Sequence, residues 1–565
     1  MNITQFYRSK FGFPKQDKPL WAIRLMLRWF GLIAAIVLLG SSGTAQHART
    51  GIAGATHLRP GLPDGSVHIR SMTAAIPSGA TYYIATTGND STGTGSSVSP
   101  WATPNHAYAS MAAGDTLIIK NGTYHQTNLC TRFDGQRPPA GTSVAYTTVQ
   151  AETDGSVIFD GDNTTSDLSV DNTPASALNY ITFRGIVFLH QTGGVGLYAC
   201  DHIKFLKCGI EGNGSGNTAS FSLSTGCTYC LFEDCYAWGA DRYKFLIYHS
   251  DHDILRRCIV RHDRAFIGVG GNPTASFTCY SSDHVWFQNC IGVDMSPVVF
   301  FNGANEYSGE FYAPTPSGWV SSFYMDSCIS LHSTMQFCSL GNDQGNPTPD
   351  INIRNCVGWD ILEGMWIRTN CSIDKCTFGA FRGPALQTVD EGLEYETGTN
   401  NIPPTITNSI VRDIPSPGIA LSNFLTEDYN DLFNNATVRS GTPTGAHTIS
   451  TNPSLTYIAR IEAGNATLHA AGSSGSDIGA NIINQFGTSG TVWGDAGYNT
   501  QTASLLWPLP SEAKAAYWMN TYSYTGTEGT ITGNRGFASS ASIAAHASNP
   551  LTYYIWNYLG NGSPY

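Results

Sequence analysis

The chain carries little charge, and the charge that it has is mostly negative. Asp, Glu, Lys and Arg make up only 13% of its 565 residues, and the formal net charge is -12 at pH 7. Proteins that bind nucleic acid through its phosphates need an excess of Lys and Arg. The composition therefore predicts no nucleic-acid partner.

Long apolar runs are also lacking. Residues 29–40 form a 12-residue apolar run, shorter than the ~20 residues of a membrane-spanning helix. Five basic residues between 10 and 28 precede this run and small residues follow it at 41–45, a pattern typical of a secretory signal. Because residues 20–27 are also largely apolar, an uncleaved anchor remains the alternative. We therefore predict that 1–45 is a signal peptide or anchor, and that the body is secreted, periplasmic or at the cell surface, with the anchor as its only membrane contact.

A short pattern recurs nine times between Asn179 and Ser409, with an apolar residue at its fifth place and usually Cys at its eighth. Alternation within each copy is typical of a strand, and its recurrence is typical of a solenoid. Successive eighth places are 20 to 38 residues apart, which fits one coil of a parallel β-helix per copy, with loops inserted on some coils. The fifth places are Phe183, Phe205, Phe232, Leu255, Phe287, Met325, Ile353, Ile373 and Ile406, and the eighth places are Ile186, Cys208, Cys235, Cys258, Cys290, Cys328, Cys356, Cys376 and Ser409.

Seven of the fourteen cysteines share the eighth place. Equivalent residues of a parallel β-helix stack about 4.8 Å apart, and side chains stacked in parallel rarely reach the torsion that a disulfide needs. A zinc site needs converging thiolates rather than a straight row. We interpret this cysteine column as small apolar side chains that fill the core. Cys200 and Cys227 share a turn position and are the first pair to consider for a disulfide.

The rest of the chain divides around this repeat. Residues 46–78 are predicted to be a linker, 79–490 the solenoid, and 491–565 a C-terminal extension rich in aromatic residues. A short helix that ends near Met111 is expected to cap the first coil, because an open end would expose the core and unpaired strand edges.

The body opens with Pro-Trp-Ala-Thr at 100–103, Gly-Asp-Thr at 114–116 and Gly-Thr-Tyr at 122–124. With these segments it resembles the right-handed parallel β-helix proteins of the pectate-lyase-like superfamily. Members share an early strand, a Pro-Trp-x-Thr helix cap, and the segments Gly-Asp-Thr and Gly-Thr-Tyr. The resemblance covers about residues 80–565 and implies an all-β fold: a right-handed parallel β-helix, or solenoid, with an N-terminal helical cap and a C-terminal extension. The fold hosts lyases, hydrolases, epimerases and non-catalytic proteins. The matching segments are 100–103, 114–116, 122–124, 157–161 and 475–480.

A basic strip between Arg242 and Arg264 contains six of the 30 Lys and Arg residues. Lyases of the superfamily that the chain resembles remove the proton α to a uronate carboxylate, and this chemistry needs a base and a cation. Lys244 or His249 is the predicted base, and Arg242 and Arg261 are predicted to bind the carboxylate. No motif specific to a known lyase family is present, and ordinary surface charge is the alternative. The candidate catalytic residues are Lys244, His249, Arg261, His262 and Asp263.

Two further features extend the candidate site. A predicted polar row lies four places after the cysteine column and consists of His262, Asp294, His332 and Asp360. It suits proton transfer or cation binding. The alternative is a turn position that only tolerates polar residues. The long interval 290–328 contains aromatic residues and carboxylates that suit sugar stacking, or packing onto the solenoid. The candidate substrate-binding residues are Arg242, Tyr243, Asp294, His332, Glu306, Glu310, Tyr307 and Trp319.

Three Asp-His pairs begin at 201, 251 and 283 and recur at one turn position, so we interpret them as turn caps and predict no metal site from them. Calcium remains a candidate cofactor, although no ligand loop is evident. Asp253 stands where most copies have an apolar residue. It is either buried with partners, or a local register shift turns Ile254 inward, which is the simpler interpretation.

The sequence therefore predicts a secreted β-helix protein that acts on a polysaccharide, an anionic one by its basic strip. Our leading hypothesis is a lyase that cleaves uronate-containing chains by β-elimination. One alternative is a glycoside hydrolase that uses two carboxylates from Asp263, Asp294, Glu306 and Glu310. The other is a non-catalytic protein of the cell surface that only binds glycan.

Overall fold

The computed structural model describes residues 79–130, 137–165, 168–171, 178–212, 217–239, 241–262, 274–295, 309–315, 322–333, 336–342, 350–381, 391–396, 402–521, 523–526, 529–532 and 550–560. The predicted signal or anchor (1–45) and linker (46–78) lie outside these ranges. The chain winds through three parallel sheets in turn, so the predicted all-β parallel solenoid is confirmed. Within the described residues, no helix combines the length and the apolar character of a membrane-spanning segment.

The first sheet follows the predicted repeat. In order along the sheet, its strands are β1 (Thr81–Ile84), β2 (Thr116–Ile119), β4 (Thr147–Ala151), β7 (Asn179–Arg184), β10 (Asp201–Leu206), β13 (Leu231–Glu233), β16 (Asp251–Arg256), β19 (Asp283–Gln288), β22 (Ser322–Asp326), β25 (Asp350–Arg354), β28 (Ser372–Asp374), β31 (Thr405–Thr407) and β34 (Thr426–Asp428).

The second sheet begins directly after the cysteine column. Its strands are β3 (Gly122–His125), β5 (Val157–Asp160), β8 (Ile186–Leu189), β11 (Gly209–Gly212), β14 (Tyr236–Gly239), β17 (Ile259–Arg261), β20 (Ile291–Val293), β23 (Ile329–Leu331), β26 (Val357–Trp359), β29 (Thr377–Gly379), β32 (Ile410–Arg412) and β35 (Asp431–Phe433).

The third sheet closes each coil. Its strands are β6 (Ser169–Asp171), β9 (Val195–Tyr198), β12 (Ala219–Ser224), β15 (Tyr243–Tyr248), β18 (Ala275–Tyr280), β21 (Gly309–Thr315), β24 (Gln336–Asn342), β27 (Glu363–Ile367), β30 (Glu391–Tyr395), β33 (Ile419–Ser422) and β36 (Thr437–Ser440). The remaining elements are α1 (Pro104–Ser110), a short 3-10 turn (Ser473–Gly475), the antiparallel pairs β37 (Asn484–Phe486) with β38 (Gln501–Leu505) and β39 (Ser523–Gly526) with β40 (Gly529–Thr532), α2 (Glu512–Thr521) and α3 (Pro550–Leu559).

The predicted register is confirmed along the first sheet. Every fifth-place residue pairs with its equivalent on the next coil, from Phe183 through to Ile406. These side chains are buried, and the rings of Phe183 and Phe205 stack with centroids 5.1 Å apart. The regular alternation of the strands therefore places one continuous apolar core inside the solenoid.

The cysteine column lies in this core. All fourteen cysteines are among the described residues, and all are buried free thiols, including Cys200 and Cys227. The column thiols hydrogen bond weakly to the fifth-place carbonyl of the preceding coil: Cys235 Sγ lies 3.4 Å from the Phe205 oxygen and Cys290 Sγ 3.3 Å from the Leu255 oxygen. The packing interpretation of the column is confirmed.

Helix α1 closes the first coil, as the sequence predicted. Thr103 caps it by accepting a hydrogen bond from the His106 backbone, and Pro104 opens it. The buried side chains of Trp101 and Tyr108 belong to the same apolar cluster as the solenoid interior. The cap thus covers core that would otherwise face solvent.

A return segment, residues 473–498, runs back along the outside of the solenoid. The last strand of the three sheets ends at Ser440, so the predicted solenoid boundary at 490 falls within this segment. Three asparagines that precede the eighth place anchor the segment. Asn408 accepts from the Ser473 backbone at 2.7 Å, Asn355 from Asn481 at 2.6 Å and Asn289 from Phe486 at 2.6 Å.

Arg256 fastens the far end of the return segment. Its fully buried guanidinium donates to Glu233 at 2.8 Å, to Gln288 at 2.7 Å and to the Thr488 carbonyl at 2.8 Å. Glu233 also accepts from the Gly490 backbone at 2.9 Å. A buried ion pair with this many partners costs a great deal to break, because removal of one partner leaves the other charge uncompensated.

We predict that native thiols are protected from modification. Burial keeps them inaccessible, and it raises the pKa of Cys130 and of Cys371 to about 12, which suppresses the reactive thiolate. A chromogenic disulfide reagent should label no cysteine of the folded chain, and all fourteen in denaturant without a reductant. Fewer than fourteen in denaturant would contradict the free-thiol column.

We predict that Arg256→Ala lowers the free energy of unfolding by about 3–5 kcal/mol, because it leaves the Glu233 carboxylate buried and unpaired. The matched control is Arg184→Ala, at an arginine that pairs with Asp154 at 3.1 Å but is 43% exposed. It should cost no more than about 1 kcal/mol. Urea denaturation measures both, and equal losses would show that the return segment does not depend on Arg256.

Candidate functional site

The outer faces of the three sheets differ in what covers them. On the second sheet, Ile259, Ile291 and Ile329 form one apolar cluster with residues of α2 and α3. On the first sheet, Leu231, Ile254 and Trp286 cluster with Val492 of the return segment. On the third sheet, the outer apolar cluster formed by the described residues belongs to that sheet itself and includes Tyr243 and Tyr280.

An open groove of about 420 Å³ lies on this third sheet. The parallel register aligns Tyr248 of β15 with Tyr280 of β18, and their ring centroids are 5.5 Å apart. Tyr248 is 36% exposed, which makes it the accessible aromatic surface of the groove. The lining residues are Asn217, Thr218, Arg242, Tyr243, Leu246, Tyr248 and Tyr280.

Arg242 lies at the other end of β15. Its guanidinium sits 4.4 Å above the Tyr243 ring and donates to the Asn217 side-chain oxygen at 2.5 Å. These contacts hold a planar cation beside aromatic rings, an arrangement that suits a carboxylate on a ring-shaped ligand. Six residues of strand separate Arg242 from Tyr248, or ~20 Å of groove at 3.3 Å per residue. Only an extended ligand can therefore contact both.

His249 follows Tyr248 at the end of the strand. Its ring meets that of Tyr248 edge-on, with centroids 4.2 Å apart, and its backbone has a positive φ of 50°. Of the predicted catalytic residues that the structure describes, His249 has its ring against Tyr248, which lines the groove.

Lys244 and Arg261 do not meet there. Lys244 is fully buried, and its ammonium donates to the Asp241 carbonyl at 2.9 Å. Arg261 is also fully buried, on the outer face of the second sheet, and donates to the Met519 carbonyl of α2 at 2.5 Å. The two cations lie in different sheets, and neither lines the groove. His262, the next residue, is fully buried as well.

The two central residues of the predicted polar row, Asp294 and His332, contact each other. The Asp294 carboxylate lies 2.5 Å from His332 Nδ1, and the Tyr554 hydroxyl of α3 donates to that carboxylate at 2.6 Å. The rings of His332 and Tyr558 stack at 5.2 Å. Burial, together with the Asp294 charge, raises the pKa of Tyr554, so its hydroxyl remains a donor. Helix α3 covers this part of the row, which therefore holds the C-terminal extension in place.

Glu310 is buried inside the solenoid. A Cβ on Gly292 would come within 2.3 Å of its carboxylate oxygen, so the absence of a side chain at Gly292 makes room for it. Complete burial raises the pKa of Glu310 to about 8. Asp263, Glu306, Tyr307 and Trp319 lie outside the described residues.

The simpler interpretation of Asp253, a local register shift that turns Ile254 inward, is wrong. The register does not shift: Asp253 pairs with Val285, and its neighbour Ile254 faces outward to the return segment. The carboxylate is fully buried, accepts from the Cys230 backbone at 2.9 Å and contacts the Ser250 hydroxyl. Burial raises its pKa well above the usual range, so it packs as a neutral acid.

Two groups of described residues have the donor atoms to hold a metal ion. One is Asp251, His252 and His284, and the other is His125, Asp160 and Asp162. Both mix imidazole with carboxylate, which suits zinc better than calcium.

Tyr248 and Tyr280 were not among the predicted site residues. A signal was present, because a tyrosine stands three residues before each Asp-His pair, at 198, 248 and 280. This spacing places the tyrosines at the end of a third-sheet strand, immediately before the corner.

No protein-family model and no curated protein matches the chain. Among solved structures it is similar to a rhamnogalacturonan lyase at 14% identity, with a TM-score of 0.37, over 66% of this chain and 87% of that one. It is similar to pectate lyase Pel9A at 13% identity and a TM-score of 0.37, over 72% and 96%. It is also similar to XylC in complex with xylose at 9% identity and a TM-score of 0.40, over 68% and 88%. At these identities, none of the three defines the reaction of this chain.

We predict that Glu310→Gln changes the pH dependence of stability. A buried acid whose pKa rises from 4.5 to about 8 stabilises the fold most below pH 4.5 and loses that contribution as the pH rises to 8. At about 1.4 kcal/mol per pH unit, the wild type should lose up to about 5 kcal/mol relative to the variant. Urea denaturation at pH 4.5 and 8.5 measures this, with Glu396→Gln, at a side chain 40% exposed, as control. A constant difference between the two pH values would contradict the burial of Glu310.

Proposed function

We propose that the chain acts on a uronate-containing polysaccharide, which it binds along the third-sheet groove. The arrangement of Arg242, Tyr243, Tyr248 and Tyr280 carries this proposal. Aromatic faces stack on the apolar faces of sugar rings, and an arginine held over an aromatic ring binds carboxylate. The ~20 Å between Arg242 and Tyr248 fits a polymer better than a single sugar.

The reaction that we propose is β-elimination, with His249 in the position of the base. In this step His249 takes the proton α to the uronate carboxylate, the electron pair left behind forms the new C=C bond and expels the glycosidic oxygen on the β carbon, and water protonates that leaving oxygen. Arg242 lies too far along the groove to contact the carboxylate of the sugar unit that reacts at His249. It therefore binds the carboxylate of a unit several sugars farther along the polymer, and this contact holds the polymer in register with His249.

The described residues give less support to the two alternatives. A hydrolase needs two carboxylates that flank the scissile bond, but Asp294 is covered by α3 and Glu310 is buried in the core. A protein that only binds glycan would use the same groove without the proton transfer at His249. Assays of catalysis therefore distinguish the lyase from the hydrolase and from the glycan-binding protein.

We predict that the purified chain releases unsaturated uronate from one polymer in a panel of pectate, alginate and glycosaminoglycans, seen as rising ultraviolet absorbance. Arg242→Ala should weaken polymer binding about tenfold, corresponding to ~1.4 kcal/mol, and leave the maximal rate nearly unchanged. His249→Ala should lower the maximal rate at least about 100-fold with little change in binding.

Arg412→Ala is the matched control, since that arginine also lies over an aromatic ring, 5.4 Å from Phe433, but outside the groove. It should behave as wild type. New reducing ends without absorbance would show a hydrolase. Polymer binding that depends on Arg242 but yields no product would show a glycan-binding protein. Polymer binding that Arg242→Ala does not weaken would contradict binding along the third-sheet groove.

A further inference from the structure

A row of stacked rings follows the corner that leads into the first sheet. Each ring belongs to a residue with positive φ between 50° and 60° on successive coils, which directs the side chains outward one above another. Neighbouring centroids are 4.4 to 4.9 Å apart. The rings are those of Tyr180, His202, Tyr229, His252 and His284.

The first histidine in this row behaves as a turn cap. His202 Nδ1 forms a hydrogen bond of 2.7 Å with its own neighbour, Asp201, and the second oxygen of that carboxylate accepts from the Thr228 hydroxyl at 2.7 Å. Both oxygens of Asp201 are thereby occupied. The turn-cap interpretation from the sequence accounts for this pair.

The last two histidines differ from it. His252 and His284 are adjacent in the row, with rings 4.4 Å apart and nearly parallel. The Asp251 Oδ1 atom lies 3.1 Å from His252 Nδ1 and 3.3 Å from His284 Nδ1. Within the described part of the chain, neither Asp251 Oδ1 nor His284 Nδ1 forms a hydrogen bond, although both atoms are buried. Three atoms that can ligate a metal therefore lie close together here, and this group lacks the hydrogen bonds that occupy both oxygens of Asp201.

We propose that Asp251, His252 and His284 bind a divalent transition-metal ion of the zinc class. Imidazole nitrogen and carboxylate oxygen are ligands that zinc prefers. Separations of 3.1 and 3.3 Å are close to the ~3.3 Å edge of a tetrahedron whose metal–ligand bonds are ~2.0 Å long. An ion shared by two parallel rings lies between their planes, so each ring must turn towards it. The torsion that allows this turn is broad and soft.

The surroundings complete such a site. Asp283 Oδ2 lies 3.2 Å from the same His284 Nδ1, so a second carboxylate borders the site, and its other oxygen is fixed by the Ser322 backbone N–H, which donates to it at 2.7 Å. The Asp251 side chain is 44% exposed, which gives an ion access and leaves a coordination position for water. Asp251 follows Tyr248 by three residues, so their Cα atoms are at most ~11 Å apart and the ion lies near the end of the groove.

The test is metal binding by the full chain, stripped with a chelator and carrying no polyhistidine tag. Calorimetric titration should give one tight site for Zn²⁺ and no heat at that site for Ca²⁺. Co²⁺ should produce the visible absorption bands of a tetrahedral complex. His252→Ala and His284→Ala should each weaken Zn²⁺ binding about 100-fold or more.

Two controls make this test specific. His202→Ala removes a stacked histidine that has its own hydrogen bond, and His125→Ala removes a ligand of the other candidate group; both should bind as wild type. The Trp493 ring lies 5.4 and 5.6 Å from the two histidines, so Ni²⁺ should quench tryptophan fluorescence in the wild type and much less in Trp493→Phe. Absence of micromolar binding, or loss of binding in His202→Ala or His125→Ala instead, would overturn the proposal.

Discussion

The pairing of each coil with the next in an unbroken register is the constraint on which the structure depends. Because a one-residue slip would move every inward side chain to the outside, the register fixes which residues fill the core and which face outward. The same register brings Asp294 to His332 and Tyr248 to Tyr280, although the members of these pairs are 38 and 32 positions apart in the sequence. Both the candidate groove and the metal-ligand group are products of this alignment.

The sequence predicted those features that follow from the alternation of inward and outward residues within each repeat copy. Alternation within each copy identified the inward residues, so the cysteine column and the Asp294–His332 contact were predicted. What covers the outer faces depends on residues far away in the sequence. Asn408 and Ser473 are 65 positions apart, and Arg261 and Met519 are 258 positions apart. Arg261 has the character of a surface residue in its own strand, yet Met519 covers it. Asp253 shows the opposite limit: Ser250 and the Cys230 backbone allow an acid to occupy an apolar position.

Coverage also explains why the third sheet is the candidate site. The second sheet presents a row of isoleucines to α2 and α3, and the first presents Trp286 to the return segment. The third sheet carries tyrosines, which pack through their faces and keep a polar edge for solvent or ligand.

The return segment changes how the solenoid holds together. In a simple repeat protein each coil contacts only its neighbours, and stability adds up coil by coil. Here residues near 490 bond to Glu233 while residues near 473 bond to Asn408, so a single stretch of chain spans most of the coils. Coils that never touch therefore share one partner, and an early coil cannot open without releasing a late one. The outer surface of the coil that contains Glu233 is completed only after the chain has been synthesised to about residue 490.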